Sequence, residues 1–262
     1  MLRQDILIKV HEKTVNQSNS RDSQNSSNSD KPKWPRQQNS DKTASNSKRT
    51  SRNTLAARRE KARVAAEILQ ETYADAKCGL NFSSPFELLV ATVLSAQTTD
   101  ARVNLVTPKL FHQYPTPEAL AAANMAKLSQ VIRSIGLYQR KAASLKGIGE
   151  MLVADFGGEV PKTRDELTKL PGVGRKTANV VLGNCFGQEE ITVDTHVGRL
   201  SRRLKWAKST NPEIVERELW KLLPDAPWTK LCHQLIAHGR AICHSRKPEC
   251  ERCPLLGVCD GV

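Results

Sequence analysis

Residues 170–181 read LPGVGRKTANVV, and the reading given to this string decides the fold. Two glycines one residue apart, followed by Lys-Thr and an apolar run, look like a phosphate loop. A P-loop, however, follows G-x-x-x-x-G-K-[ST], with glycine directly before the lysine so that the backbone can wrap phosphates. Arg175 occupies that place, no glycine opens the loop, and no βαβ pattern surrounds it. The nucleotide-binding reading fails.

Working outward, TRDELTKLPGVGRKTANVVLGNCF (163–186) reads as helix, tight turn, helix. Leu167 and Leu170 precede the turn, Pro171-Gly172-Val173-Gly174 makes it, and Thr177–Cys185 resumes a helix. Two glycines clear side chains from the turn and expose backbone N–H groups at a helix N-terminus. That is an anion site without sequence selectivity, suited to a nucleic-acid phosphate. A glycine cap between two packed helices is the plainer alternative, and the whole P-G-V-G-R-K-T string argues against it. The second G-x-G, in LKGIGEML (145–152), is read as structural, inside a helix that turns Ala142, Leu145, Ile148 and Leu152 inward.

The surrounding body is helical. Phe86, Leu89, Val90, Val93 and Leu94 recur at helical spacing, and strand-like alternation is nearly absent. Helix starts carry their own marks: Ser84-Pro85-Phe86-Glu87, Thr116-Pro117-Glu118 and Asn211-Pro212-Glu213 each combine a cap with proline, and Thr163 with Glu166 forms a capping box. These signals predict an all-α protein of about ten helices, without the fixed period of a solenoid.

Composition sets the limits of that body. The N-terminal stretch is rich in Ser, Asn, Gln, Lys and Arg and has too little apolar surface to offset its ordering entropy, so residues 1–56 are read as a disordered basic arm. Residues 1–63 hold 15 Lys and Arg against 6 Asp and Glu, which accounts for +9 of the net +13. Such an arm suits attraction to a polyanion or a solubilising role equally, so charge alone does not make the body a DNA binder. No apolar run is long enough for a signal peptide or a membrane span, and an intracellular protein with no membrane partner is expected.

Seven cysteines in a reducing compartment point to metal or redox roles. Cys243, Cys250, Cys253 and Cys259 are spaced C-x6-C-x2-C-x5-C, close enough to share a metal centre. Zinc accepts four thiolates, usually from two C-x2-C knuckles, whereas only one central C-x2-C exists here; iron–sulfur clusters accept them equally well. Cys78, Cys185 and Cys232 are read as buried apolar thiols.

Taken together, LPGVGRKTA, VDTH at 193–196, LSAQTTD at 94–100, IGLYQRKA at 135–142 and the four C-terminal cysteines resemble the endonuclease III family of helix-hairpin-helix DNA glycosylases over residues 57–260. The resemblance implies two α-helical domains with DNA between them. A six-helix domain would span 78–188, with its hairpin at 163–182. A cluster domain would join 57–77 to 189–262, with a [4Fe-4S] loop at 243–259. It also implies a bifunctional enzyme: a glycosylase that removes damaged, oxidised pyrimidines and an AP lyase that cuts 3′ to the abasic site. Its partner would be double-stranded DNA carrying damaged bases or abasic sites, and the protein a monomer. Two alternatives stay open, a monofunctional adenine-type glycosylase, which lacks the hairpin lysine, and a non-enzymatic DNA-binding module.

The residues carry matching chemistry. An amine attacks carbon only when neutral, and the helix start, Arg175 and partial burial would each favour that form of Lys176; a simple phosphate contact is the plainer role. Asp194 is an N-cap by position, and the resemblance makes it catalytic as well. His196 is read as structural. Phosphate contacts are expected from the backbone of Gly172, Val173 and Gly174, from Arg175, and from Arg246 and Lys247 in the cysteine loop. By resemblance, Gln97 and Leu137 fill the gap left by an extruded base.

Overall fold

The computed structural model describes residues 54–261. All but the last three residues of the basic arm lie outside them. Leu55 and Ala56, assigned to the arm from composition, instead open the first helix, because Thr54 caps it by accepting from the Ala57 N–H at 3.2 Å. The described residues form eleven α-helices and no strand.

These are α1 (Leu55–Thr72), α2 (Pro85–Ser95), α3 (Asp100–Gln113), α4 (Pro117–Ala121), α5 (Met125–Val131), α6 (Tyr138–Phe156), α7 (Arg164–Leu167), α8 (Arg175–Cys185), α9 (Thr195–Arg203), α10 (Pro212–Leu222) and α11 (Trp228–Ala241). The expected caps form: Ser84, Thr116, Thr163 and Asn211 each accept from a first-turn N–H. Eight of the eleven helices start on such a side-chain cap, and the exceptions are α6, α8 and α11. Two of those uncapped starts face the site described below.

α2 is the axis of one helical group. Helical spacing predicts one buried face, yet every residue from Leu88 to Leu94 is buried, because α3, α6 and α8 pack around it. A helix apolar on all sides belongs inside. Leu88, Leu89 and Leu94 are fully covered, each contributing about 1.5–3 kcal/mol by burial. α6 presents Ala142, Leu145, Ile148 and Leu152 to the same core, as its spacing predicts. α6 also lies against α4 so closely that a Cβ on Gly149 would stand 2.6 Å from the Ala121 nitrogen, which only glycine allows.

A second set of contacts joins α1, the beginning of the described chain, to α10 and α11 near its end, with α9 packed on both of those. Trp206 and Trp220 meet the buried Trp228 edge-on, and the Trp228 indole donates to Leu223 O at 2.8 Å. Asp100 and Arg240 pair at 2.9 Å between α3 and α11, and α11 also touches α8.

Candidate active site

The hairpin between α7 and α8 leaves a helix start open. Gly172 lies at φ 77°, and a Cβ there would approach Ser144 Oγ to 2.9 Å, so glycine is required. The Val173 side chain is buried and its N–H donates to Leu170 O at 3.1 Å, so this residue closes the turn, which corrects its expected phosphate contact. Gly174 begins α8 with no side-chain cap, and nothing lies within 4 Å of where its Cβ would stand. The first N–H groups of α8 have no intrahelical partner, and the positive end of the helix dipole faces open space.

Lys176 is the second residue of α8 and is exposed. The partial burial expected from sequence is absent. Arg175 behaves differently from the expected phosphate ligand. Its Nε and NH2 donate to Glu216 Oε2 and Oε1 at 2.9 and 2.7 Å, a two-pronged pair with a buried carboxylate of α10. That hydrogen bond pushes the Arg175 pKa up. The guanidinium ties the hairpin to α10. Glu216 lies 41 residues away and carried no signal in the sequence.

α9 starts in the opposite way. Asp194 is half-buried and caps it, Oδ1 accepting from the Val197 N–H at 2.7 Å. The segment leading to it is fastened to the hairpin helices: Asn179 Nδ2 donates to Ile191 O at 2.8 Å, Arg164 Nε donates to Asn179 Oδ1 at 2.9 Å, and Arg164 pairs with Glu190. The starts of α8 and α9 are therefore linked through one buried network. His196 packs under Gly239, where a Cβ would meet Nδ1 at 2.7 Å, and burial lowers its pKa, in keeping with a structural role.

The loops carrying Gln97 and Leu137 share an unusual backbone. Both residues are exposed and non-glycine, yet both lie in the left-handed region, at φ 55° and 58°. Leu137 is 56% exposed at the uncapped start of α6. Spacing alone would have placed it in the core, and the structure exposes it instead. Between the loops lies a residue the sequence did not single out. Lys141, only 7% exposed, donates from Nζ to Leu94 O at 2.8 Å, Ala96 O at 2.6 Å and Thr98 Oγ1 at 3.2 Å.

The four cysteines of the C-terminal loop line one apolar cavity of about 40 Å³, with Leu200, Arg203 and His238 in its wall. Nitrogen groups surround the sulfurs: Arg203 NH1 lies 3.1 Å from Cys243 Sγ, the Gly261 N–H 3.4 Å from Cys259 Sγ, and His238 Nε2 3.5 Å from Cys253 Sγ. Tyr73 hydroxyl meets the other His238 nitrogen at 2.9 Å. Burial, and then the neighbouring thiols, push the Cys253 thiol up, a cost that a cationic centre would offset. Among the described residues no three His, Cys, Asp or Glu side chains converge closely enough to hold a metal ion. The four thiols around one cavity are a donor set that fits a multi-atom cluster. Arg246 and Lys247 are exposed in the first cysteine loop. Cys232 is buried as expected, while Cys78 and Cys185 are half-buried.

Comparison with known proteins bears on this geometry directly. Residues 90–225 match the HhH-GPD superfamily of base excision DNA repair proteins. Endonuclease III of Synechocystis is 46% identical over 206 residues, covering 78% of this chain and 94% of its own length. Endonuclease III of Bacillus subtilis is 48% identical over 192 residues, 72% of this chain and 87% of that protein. The chain belongs to the endonuclease III family. A solved structure of a trapped endonuclease III–DNA covalent intermediate superposes with a TM-score of 0.74 at 46% identity, covering 78% of this chain and 96% of that one. As an endonuclease III family member, the protein is a base-excision repair enzyme with DNA glycosylase and AP-lyase activity. No helix among the described residues is long and apolar enough to cross a membrane.

Proposed function

We propose that this endonuclease III family member removes oxidised pyrimidines from double-stranded DNA and then cuts 3′ to the abasic site, with Lys176 as nucleophile and Asp194 as its partner. The observation that carries this reading is an exposed lysine at an uncapped helix start, linked by a buried network to a second helix start that holds a carboxylate.

The backbone N–H groups of Gly172 and Gly174 receive a DNA phosphate while Val173 closes the turn between them, and Arg175 adds its own N–H while its guanidinium braces the hairpin against Glu216. Gln97 and Leu137 enter the duplex and occupy the space of the extruded nucleotide. The neutral Lys176 amine attacks C1′, and the C1′–N bond to the base breaks as positive character on the sugar is stabilised by the Asp194 carboxylate. The amine proton passes to the departing base, and the C1′–O4′ bond then breaks with O4′ taking a proton from water, which leaves a protonated Schiff base on Lys176. Removal of a C2′ proton expels the 3′ phosphate, and water releases the lysine. Asp194 keeps its capping bond throughout through Oδ1, leaving its other oxygen for the sugar.

Cys243, Cys250, Cys253 and Cys259 would hold a [4Fe-4S] cluster, which with four thiolate ligands supplies structure and not an open coordination site. Arg246 and Lys247 then reach phosphates beside it. The DNA lies between a domain of residues 78–188 and one formed from 57–77 with 189–262. The enzyme acts as an intracellular monomer.

The test is a duplex bearing dihydrothymine opposite adenine. Base release with a nick carrying an unsaturated aldehyde at the 3′ end supports the proposal. Base release without nicking would make the protein monofunctional, and binding with neither would leave a DNA-binding module. Iron and acid-labile sulfide in the purified protein are expected, and zinc alone would overturn the cluster.

A further inference from the structure

Lys141 is harder to explain by stability than by placement. The residue is buried and its ammonium makes no ion pair with a carboxylate among the described residues, and burial pushes its pKa down. An apolar side chain of similar length would fill the space without desolvating a charge. All three N–H bonds of the ammonium are nevertheless used, and each acceptor lies in one short stretch, the last turn of α2 and the loop after it. Ala96 and Thr98, two of the acceptors, flank Gln97. Lys141 itself belongs to the first turn of α6, its N–H bonded to Leu137 O at 3.0 Å. The two loops also approach at Gly136, where a Cβ would stand 3.9 Å from Thr98 Oγ1.

We infer that Lys141 is a positioning residue that locks the Gln97 loop to the start of α6, so that Gln97 and Leu137 enter the duplex as one rigid unit. It does not touch DNA. Its three bonds hold the left-handed turn at Gln97 in place before DNA arrives, which removes an ordering cost from base extrusion. This inference rests on the proposed roles of Gln97 and Leu137.

The experiment compares two duplexes that share the same target base: dihydrothymine opposite adenine, where extrusion orphans a base, and dihydrothymine opposite a tetrahydrofuran abasic analogue, which orphans none and which the lyase does not cut. In Lys141→Met we expect kcat/KM to fall on the order of 100-fold opposite adenine and only a few-fold opposite the abasic site. Gln97→Ala should give the same contrast, and the double variant should lose no more than either single one. Thr98→Val, which removes one acceptor from an otherwise intact loop, should show the pattern more weakly and decides the matter where Lys141→Met does not fold. Equal losses on both duplexes would make Lys141 merely structural and overturn the inference. A contrast in Gln97→Ala without one in the Lys141 and Thr98 variants would overturn it while leaving the gap-filling role standing. No contrast in Gln97→Ala would remove that role and this inference together.

Discussion

The starts of α8 and α9 are consecutive in the chain and opposite in construction. At α8, Gly174 provides no side-chain acceptor, the surrounding space is open and Lys176 is exposed. At α9, Asp194 closes the start with a 2.7 Å bond to the Val197 N–H and is half-buried. A helix start left open on a glycine forgoes only about a few tenths of a kcal/mol of capping stability and keeps its dipole for an external anion. A closed one orients its carboxylate within the fold. Under the proposed mechanism one helix receives the phosphate and the other supplies the charge, while the Asn179, Arg164 and Glu190 network links the two.

This contrast can be broken most severely by Asp194→Asn. Asparagine caps as well as aspartate, so the melting temperature should hold, while turnover on damaged duplex falls on the order of 100- to 10,000-fold without the carboxylate. Full turnover in that variant would reduce Asp194 to a cap. Making the two starts alike is the next test. Gly174→Asp closes α8 and should stabilise the free protein by a few tenths of a kcal/mol, yet weaken affinity for duplex DNA by about tenfold or more, since a carboxylate replaces the phosphate at the open N–H groups. Unchanged affinity, measured at matched salt, would mean that the hairpin does not grip DNA.

The smallest effect lies at the far end of α8, where His233 Nε2 meets Asn184 Oδ1 at 2.9 Å. Burial lowers the His233 pKa below its ordinary 6.5, so the unfolded chain binds its proton first as pH falls. The contribution of this histidine is present above pH 6.5 and is lost as pH drops below that value. Denaturation across that range should show a flatter pH dependence in His233→Gln, and an identical slope would exclude the histidine as its source.

Local features were legible in the sequence, and long-range ones were not. The caps at Ser84, Thr116, Thr163, Asp194 and Asn211 depend on residues within three positions of one another, so spacing revealed them. The hairpin glycines were legible because their lack of side chains has a direct conformational meaning. The Glu216 partner of Arg175 was not legible because it belongs to another helix, and an arginine beside such a turn looks the same in sequence with or without a carboxylate facing it. Nothing local marks Lys141 as a lysine whose acceptors lie 43–47 residues earlier. Leu137 and Gln97 became visible only through family resemblance. A single leucine carries no sequence sign that its backbone will be left-handed and its side chain exposed.

The central claim is that Lys176, at the open helix start, forms the covalent bond to DNA. Borohydride reduction during reaction with abasic-site duplex, followed by peptide mapping, tests it most directly. The account predicts an adduct on Lys176, lost in Lys176→Ala while DNA binding persists. An undiminished adduct in Lys176→Ala, or one mapped to another residue of the wild-type protein, would contradict it.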